Sequence, residues 1–208
     1  MLTFMKAVIL NCTLKKSPEK SNTEALAEEV AKELRSQKVQ VEMIRVVDLN
    51  IPFGIKTNEG TGDDWPKIHK KLLDSEILII ATPTWLGHPS SVAQLVQERM
   101  DAMISETQSS GLPVAYNKVA GVIVTGNEDG AHHVIADVAQ GLLDIGYTVP
   151  GQAWTYWNRG PGPGDSYLET EVKHDWSITT GRTMANVLVA VAKALQAKPI
   201  PPDAYKAK

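Results

Sequence analysis

The sequence predicts a three-layer α/β/α fold in which a doubly wound sheet of five parallel strands has the order 2-1-3-4-5. Three observations lead to this prediction. Apolar runs without alternation, at residues 7–10, 77–81 and 119–124, are typical of strands buried between two helical layers. Segments with apolar residues at helical spacing follow these runs. Polar loops separate the segments, so strand and helix alternate along the chain, and right-handed crossovers then give a parallel sheet.

Length and composition favour a single domain over residues 1–208. Of the 208 residues, 43% are hydrophobic and 22% are charged, which is enough for one sizeable core. A net charge of −3 provides no basic field to attract nucleic acid or an anionic membrane surface. The apolar runs are much shorter than a bilayer span, and residues 1–5 lack the basic region of an export signal, so we expect a cytoplasmic protein. The single cysteine, Cys12, excludes an intramolecular disulfide.

The first strand, residues 7–10, leads into a polar loop that begins at Asn11. The loop ends at Ser21, and Glu24 follows three residues later, which is the capping-box pattern of a helix N-terminus. The apolar residues after Glu24 repeat at helical spacing, so we expect the first helix there.

A long loop separates the second strand from the second helix. Residues 39–46 alternate apolar and polar side chains, which indicates an edge strand with one wetter face. Residues 48–63 contain Pro52 and three glycines with little periodicity, which predicts a surface loop. Residues 65–73 have a proline in their first turn and predict a short helix with Ile68, Leu72 and Leu73 on its inner face.

The third strand, residues 76–81, is the most apolar segment of the chain and is predicted to end where residues 82–89 begin. Two prolines and a glycine in residues 82–89 predict a turn rather than a helix. Ser91, with Gln94 three residues later, predicts the start of the third helix. We expect its inner face to consist of Val92, Leu95, Val96, Met100, Met103 and Ile104.

The last third of the chain completes the alternation. Residues 118–124 predict the fourth strand, and a helix from Ala131 to Gly146 is expected to bury Val134, Ile135, Val138, Leu142 and Leu143. The fifth strand, residues 147–157, is predicted to be interrupted at Pro150 and Gly151. A loop rich in glycine and proline follows at residues 159–165, and the spacing of residues 179–197 predicts the final helix.

Three loops leave the carboxyl ends of strands that are neighbours in the predicted order. They are residues 11–23, 82–89 and 125–133. In such sheets ligands bind outside the carboxyl ends of the strands, where the strand order reverses. The first loop aims helix N–H groups and a dipole at one point, which suits a phosphate. The second loop offers a turn with proline and an aromatic residue for a flat ring, and the third offers backbone amides.

These loops resemble the three FMN-contacting loops of the flavodoxin-like NAD(P)H-dependent FMN reductases and quinone reductases. The resemblance extends over residues 6–157, and its most specific parts are Ser21-Asn22-Thr23 and the turn Thr82-Pro83-Thr84-Trp85-Leu86-Gly87. The chain departs from the family at residues 11–14, where Asn-Cys-Thr-Leu replaces the common Gly-Ser-x-Arg, and Lys15 and Lys16 are the nearest cations.

The resemblance implies a set of FMN-binding residues. The phosphate would be held by Thr13, Ser21, Asn22 and Thr23. The isoalloxazine would be held by Pro83, Thr84, Trp85, Leu86, Gly87 and His88 and by Thr125, Gly126, Asn127, Glu128, Asp129 and Gly130. No Gly-x-Gly-x-x-Gly pyrophosphate loop follows any predicted strand, which favours FMN over FAD.

Structural explanations compete with these roles. Residues 21–23 could serve only as a helix cap, and Lys15, Lys16 and Lys20 could form only a solvated surface. Trp85 could fill the core instead of lining a ring site. The aromatic residues at positions 154, 156 and 157 could pack the last strand, cover the flavin or form a subunit interface.

Two further classes of site are disfavoured. His88, His132 and His133 lack an acidic residue at metal-ligand spacing, so we expect no metal. Cys12 follows the first strand as in low-molecular-weight tyrosine phosphatases, but Pro18 stands where those enzymes need an arginine to clamp the phosphoryl group.

The resemblance implies an FMN-dependent oxidoreductase that takes electrons from NAD(P)H and passes them to a quinone, a free flavin or a similar small acceptor. We expect loops 50–62 and 159–165 to form a wall above the flavin, no essential acid-base residue, and a homodimer or homotetramer. The main alternative is a flavodoxin-type electron carrier without its own substrate site. A signalling receiver domain is disfavoured because Asn11 and Thr82 stand where it needs acidic residues.

Overall fold

The computed structural model describes residues 4–205. Its strands are β1 Lys6–Asn11, β2 Gln40–Arg45, β3 Ile77–Trp85, β4 His88–Pro89, β5 Val119–Gly126 and β6 Trp154–Asn158. Its helices are α1 Asn22–Ser36, α2 Trp65–Leu73, α3 Ser91–Met100, α4 Ala131–Ile145, α5 Asp175–Ala197 and α6 Pro202–Tyr205, with short 3-10 turns at Val46–Asp48 and Asp101–Ile104. No helix within these residues is long and apolar enough to cross a membrane.

The sheet has the strand order β2-β1-β3-β5-β6, and all neighbours in this order are parallel. This is the predicted flavodoxin-like order, and it confirms that β2 lies at an edge. The predicted interruption of the last strand is also confirmed, because Thr148 makes an isolated bridge to Val119 before β6 begins at Trp154. The short strand β4 pairs antiparallel with the end of β3 and was not predicted.

Alternate residues of the central strands enter two separate cores. Ile9 and Ile79 pack against α1 and α5 on one face of the sheet. Leu10 and Ile80 pack with α2, α3 and α4 on the other face. Coverage on both faces explains why these strands are apolar without alternation.

The structure corrects the predicted end of the third strand. β3 continues through Thr82 and Pro83 to Trp85, so these residues form strand rather than turn. The turn itself consists of Leu86 (φ 53°) and Gly87 (φ 77°), which both lie in the left-handed region, as the two-residue hairpins that match strand twist require. Pro83 forms the last pair of the β3–β5 ladder, opposite Thr125, so its missing N–H interrupts no further pair of that ladder.

Three details of the helices differ from prediction. Ser90, and not Ser91, caps α3: its side chain accepts the Ala93 N–H. Ile104 is exposed because the 3-10 turn after α3 shifts the phase of the inner face. Leu143 is exposed because the buried stripe of α4 runs through Leu142 to Ile145.

The final helix also begins earlier than predicted, at Asp175 instead of residue 179. The first turn of this helix buries a polar residue, Ser177. The repeat of apolar residues by which the sequence predicts a helix therefore does not extend to Asp175.

A buried arginine anchors the long loop between β2 and α2. The Arg99 guanidinium donates to the carbonyls of Pro52 and Lys56, both at 2.9 Å, and to Asp63 Oδ2 at 2.6 Å. The side chains of Arg99 and Asp63 are fully buried, and the guanidinium lies 5.6 Å from the Trp65 ring centre. The loop is therefore tied to α3 by Arg99.

Candidate functional site

A crevice opens at the carboxyl edge of the sheet, where the strand order reverses. Thr13, Asn22 and Thr23 line it from the first predicted loop. Pro83, Thr84 and Trp85 line it from the end of β3, and Thr125, Gly126 and Asn127 from the end of β5. The structure therefore brings the three predicted loops together around one space.

The N-terminus of α1 forms one end of the crevice. Ser21 is its N-cap, and the Ser21 side chain accepts the Glu24 N–H at 3.1 Å. The N–H groups of Asn22 and Thr23 have no hydrogen-bond partner within residues 4–205, as expected for the first turn of a helix. These two groups and the helix dipole leave an anion-binding position beside Thr13.

Side chains at the ends of β1 and β2 hold the polar loop before α1 in place. Asn11 is fully buried, and its Oδ1 accepts the Thr13 N–H at 3.2 Å, while its Nδ2 has no partner within the described residues. From the edge strand, Arg45 donates to the carbonyls of Lys15 and Glu19 and pairs with Glu24. Sequence reasoning missed Arg45, because a cation in an alternating edge strand looks like an ordinary solvated residue.

A pair of buried hydroxyls joins α1 to the middle of the crevice. Thr23 Oγ1 lies 2.8 Å from Thr125 Oγ1, at the end of β5. This contact fixes the distance between the helix N-terminus and the central strands. The hydroxyl of Thr23 already has this partner, whereas the Thr23 N–H has none within residues 4–205 and can bind a ligand.

The hairpin β3–β4 forms the opposite wall. Trp85 lines the crevice and is 50% exposed, and Thr84 Oγ1 is buried without a partner in the described part of the chain. Glu128 Oε1 accepts the Leu86 N–H at 3.0 Å and so braces the turn. The hairpin approaches the loop after β5 so closely that a Cβ on Gly130 would lie 2.8 Å from Gly87 Cα.

The remaining predicted residues lie outside the crevice lining. Ser21 caps α1, which is the role that competed with phosphate binding for this residue. Leu86, Gly87 and His88 form the hairpin turn and β4, Glu128 and Gly130 support that turn, and Asp129 is exposed. His88 packs edge-to-face on His133 at 5.2 Å. Within residues 4–205 no group of three or more His, Cys, Asp or Glu side chains could hold a metal ion.

A fourth segment of the lining was not predicted. Ser166, Tyr167 and Glu169 complete the crevice beside Leu14 and Lys15. They come from the irregular segment between β6 and α5, which has no periodicity by which a sequence could place it. The expected wall from residues 50–62 is not part of the lining, and residues 159–165 only lead to this segment.

Burial makes the single cysteine inert. The Cys12 side chain is fully buried, its thiol donates to the Leu10 carbonyl, and desolvation raises its pKa. A thiol without thiolate character is a poor nucleophile, which agrees with the argument against a phosphatase.

Comparisons with known proteins agree with this geometry. Residues 5–161 match the family described as NADPH-dependent FMN reductase. The chain is 36% identical over 177 residues to the 8-demethyl-8-aminoriboflavin-5'-phosphate synthase of Streptomyces davaonensis, a match that covers 79% of this chain and 68% of that protein. It superposes on a crystal structure of RosB with bound 8-demethyl-8-formylriboflavin-5'-phosphate with a TM-score of 0.85, at 33% identity, over 94% of this chain and 82% of that one.

A further relative is longer than this chain. The divalent metal cation transporter MntH of Mycobacterium bovis is 40% identical over 169 residues, which cover 79% of this chain. The chain spans only 25% of the length of that protein.

Proposed function

The chain belongs to the family of NADPH-dependent FMN reductases, which are FMN-dependent oxidoreductases, and we propose that it passes electrons from NAD(P)H through FMN in the crevice to a quinone, a free flavin or a similar small acceptor. The observation that carries the proposal is the convergence of one anion-binding helix end, two neighbouring strand ends and an exposed tryptophan on a single crevice.

The unpartnered polar groups of the crevice fit FMN. The free N–H groups of Asn22 and Thr23 suit the phosphate. The buried hydroxyl of Thr84 lacks a partner among residues 4–205, and such groups are costly unless a ligand or water satisfies them. The crevice volume of about 210 Å³ is below the roughly 300 Å³ of sites that enclose a drug-sized ligand, so the ring end of FMN would stay partly exposed beside Trp85.

The residues of the chain supply position rather than acid-base chemistry. FMN, when bound, would supply the two-electron chemistry between the nicotinamide donor and the acceptor. The end of α1 would fix the phosphate, and the braced hairpin would hold Trp85 against the ring. We propose no catalytic acid or base. Tyr167, the buried titratable side chain of the described lining, has its pKa raised to about 12 by desolvation, and the other two in the lining, Lys15 and Glu169, are exposed.

A second candidate function is chemistry on the flavin phosphate itself. It is supported by the relative that is named as a synthase of an aminoriboflavin phosphate and by the RosB structure, whose ligand is a formylriboflavin phosphate. In that case FMN or a derivative would be the substrate of the same crevice. Incubation with FMN, followed by chromatography and mass spectrometry of the flavin, tests this candidate directly.

We also propose that the chain assembles as a homodimer or homotetramer. Trp154 and Tyr156 stack with ring centres 5.8 Å apart, and the Trp176 ring beside them is exposed. Exposed aromatic patches of this kind mark interaction surfaces in many soluble proteins. Sedimentation at micromolar concentration tests the proposal, and a 22.7 kDa monomer would contradict it.

The oxidoreductase proposal is tested in two steps. Flavin-free protein is first titrated with FMN and with FAD, and we expect FMN to bind more tightly because the crevice offers one phosphate position. The complex is then mixed anaerobically with NADH or NADPH, and we expect the visible flavin band to bleach within seconds, given typical turnover of about 1 to 10³ per second. Bleaching by dithionite but by neither nucleotide would replace the enzyme with an electron carrier.

A further inference from the structure

The segment between β6 and α5 is tied to both sides of the crevice. We call residues 159–174 the strap. Arg159 and Gly164 donate backbone N–H bonds to the carbonyls of Gly126 (3.1 Å) and Asn127 (3.0 Å). Leu168 N–H donates to Asn22 Oδ1 at 3.0 Å. The strap therefore bridges the loop after β5 and the N-terminus of α1.

An aromatic anchor fixes the middle of the strap. Tyr167 is buried, and its ring stacks on His174 with centres 3.9 Å apart and planes at 20°. It also meets Trp157 of β6 edge-on at 5.6 Å. Because Tyr167 is held in this way, its neighbours in the strap have defined positions at the rim of the crevice.

One of these neighbours is the exposed carboxylate of Glu169, beside the N-terminus of α1. Ser166 Oγ donates to Glu169 Oε2 at 2.7 Å, and the Ser166 N–H reaches the same oxygen at 3.4 Å. These bonds, and then the charge of Lys15, lower the pKa of Glu169, so it is ionised at neutral pH. Glu169 lines the crevice together with Lys15 and Asn22.

We propose that Glu169 is a specificity-determining residue that weakens the binding of a flavin phosphate, so that the flavin in the crevice exchanges with flavin in solution. The inference rests on the proposed function, since it concerns the same crevice. A phosphomonoester carries about −1.5 to −2 charges at pH 7, which the fixed carboxylate opposes. Glu169 also occupies the hydroxyl and N–H of Ser166, which would otherwise be available to the phosphate.

Lys15, the cation whose charge acts on Glu169, also faces a second carboxylate. Lys15 forms an ion pair with Glu19, whose Oε1 lies 3.4 Å from Lys15 Nζ. The family match ends at residue 161, before Ser166 and Glu169. A loosely held flavin is what an enzyme requires if the flavin in its crevice is the substrate that must leave after each turnover.

The test compares two charge-neutralising variants of the same strap. Glu169→Gln removes the proposed repulsion, and Glu171→Gln is the matched control, because Glu171 is exposed, loses the same charge and does not line the crevice. Dissociation constants of FMN and riboflavin are measured for flavin-free protein by quenching of flavin fluorescence. Riboflavin lacks the phosphate and reports any effect that does not depend on its charge.

We expect Glu169→Gln to bind FMN about five- to tenfold more tightly than the unmodified protein, the scale of one charge pair near a protein surface. Riboflavin should change less than twofold, and Glu171→Gln should change neither constant. The gain should shrink in 1 M salt, where the screening length is about 3 Å.

Several results would overturn the inference. One is unchanged or weaker binding of FMN by Glu169→Gln. The others are an equal gain in the affinity of Glu169→Gln for riboflavin, or the same gain in FMN affinity in Glu171→Gln. In each of these cases FMN still binds the unmodified protein, so the proposed function survives. If the unmodified protein binds neither flavin, the proposed function fails together with this inference.

Discussion

Gly126 is the position where the packing of the crevice can be tested most sharply. A Cβ added there would lie 2.3 Å from Thr84 Cγ2 and 2.9 Å from the Glu128 carbonyl oxygen. Carbon atoms in contact are normally about 3.5 Å apart, so Gly126→Ala must displace the Thr84 methyl by about 1 Å. Thr84 is buried and β-branched, and it has few alternative rotamers. We therefore expect the end of β3 to shift.

The expected cost follows from this geometry. Overpacking of a buried site costs about 1–3 kcal/mol, which should appear as a lower free energy of unfolding in urea. Because Thr84 lines the crevice, FMN affinity should also fall by about tenfold, which corresponds to about 1.4 kcal/mol. Gly151→Ala is the matched control, since no atom of the described residues lies within 4 Å of its added Cβ, and it should leave both quantities nearly unchanged.

A second substitution separates this clash from other effects. Thr84→Ser removes the Cγ2 methyl while keeping the hydroxyl, so it should partly restore stability and affinity in the Gly126→Ala background. The rescue should be incomplete because the contact with the Glu128 carbonyl remains. Unchanged properties in Gly126→Ala, or a double variant no better than the single one, would refute the packing argument.

Three further predictions concern stability. Arg99→Met leaves a buried carboxylate without its partner and should cost about 3–5 kcal/mol in urea unfolding, whereas Arg182→Met on the exposed face of α5 should change less than about 0.5 kcal/mol. Burial raises the pKa of Asp63, but hydrogen bonds from Arg99 and two backbone N–H groups outweigh burial and lower the pKa. Ionised Asp63 therefore stabilises the fold above its ordinary pKa of 3.8, and this stabilisation is lost as the pH falls below that value. The loss of stability in Arg99→Met should therefore shrink in acid, and a loss that is the same at all pH values would contradict this. Ser90→Ala should cost about 1–3 kcal/mol, because Ser90 caps α3 and donates to a buried carbonyl at 2.6 Å, while Ser91→Ala should be nearly neutral; equal melting temperatures for the two would contradict the cap assignment.

Much of the fold could be predicted because the determining patterns are local. The apolar runs at β1, β3 and β5 require burial on both faces, and only a parallel sheet between helical layers provides it. Ser21 and Glu24 mark the start of α1 within four residues of sequence. The same local signals placed three polar loops at one edge of the sheet, and the structure brings all three to one crevice.

The roles of individual loop residues could not be predicted in the same way. Thr84 and Trp85 face the crevice, whereas Glu128 and Gly130, from an equally polar loop, support the hairpin. The direction of a loop side chain depends on backbone angles set by neighbours distant in sequence. Sequence spacing therefore identified the loops but not which of their side chains meet a ligand.

The sequence by itself determined the alternation of strands and helices, the order of the sheet and the edge at which the crevice opens, because apolar periodicity and caps act over a few residues. Only the tertiary structure decided that Arg99 pairs with Asp63 and that Leu168 meets Asn22, since these pairs are 36 and 146 positions apart. Tertiary packing also decided that Glu169 lines the same crevice as Asn22 at the start of α1. Such contacts have no local signal, because they form only when the cores on both faces of the sheet have fixed the surrounding elements.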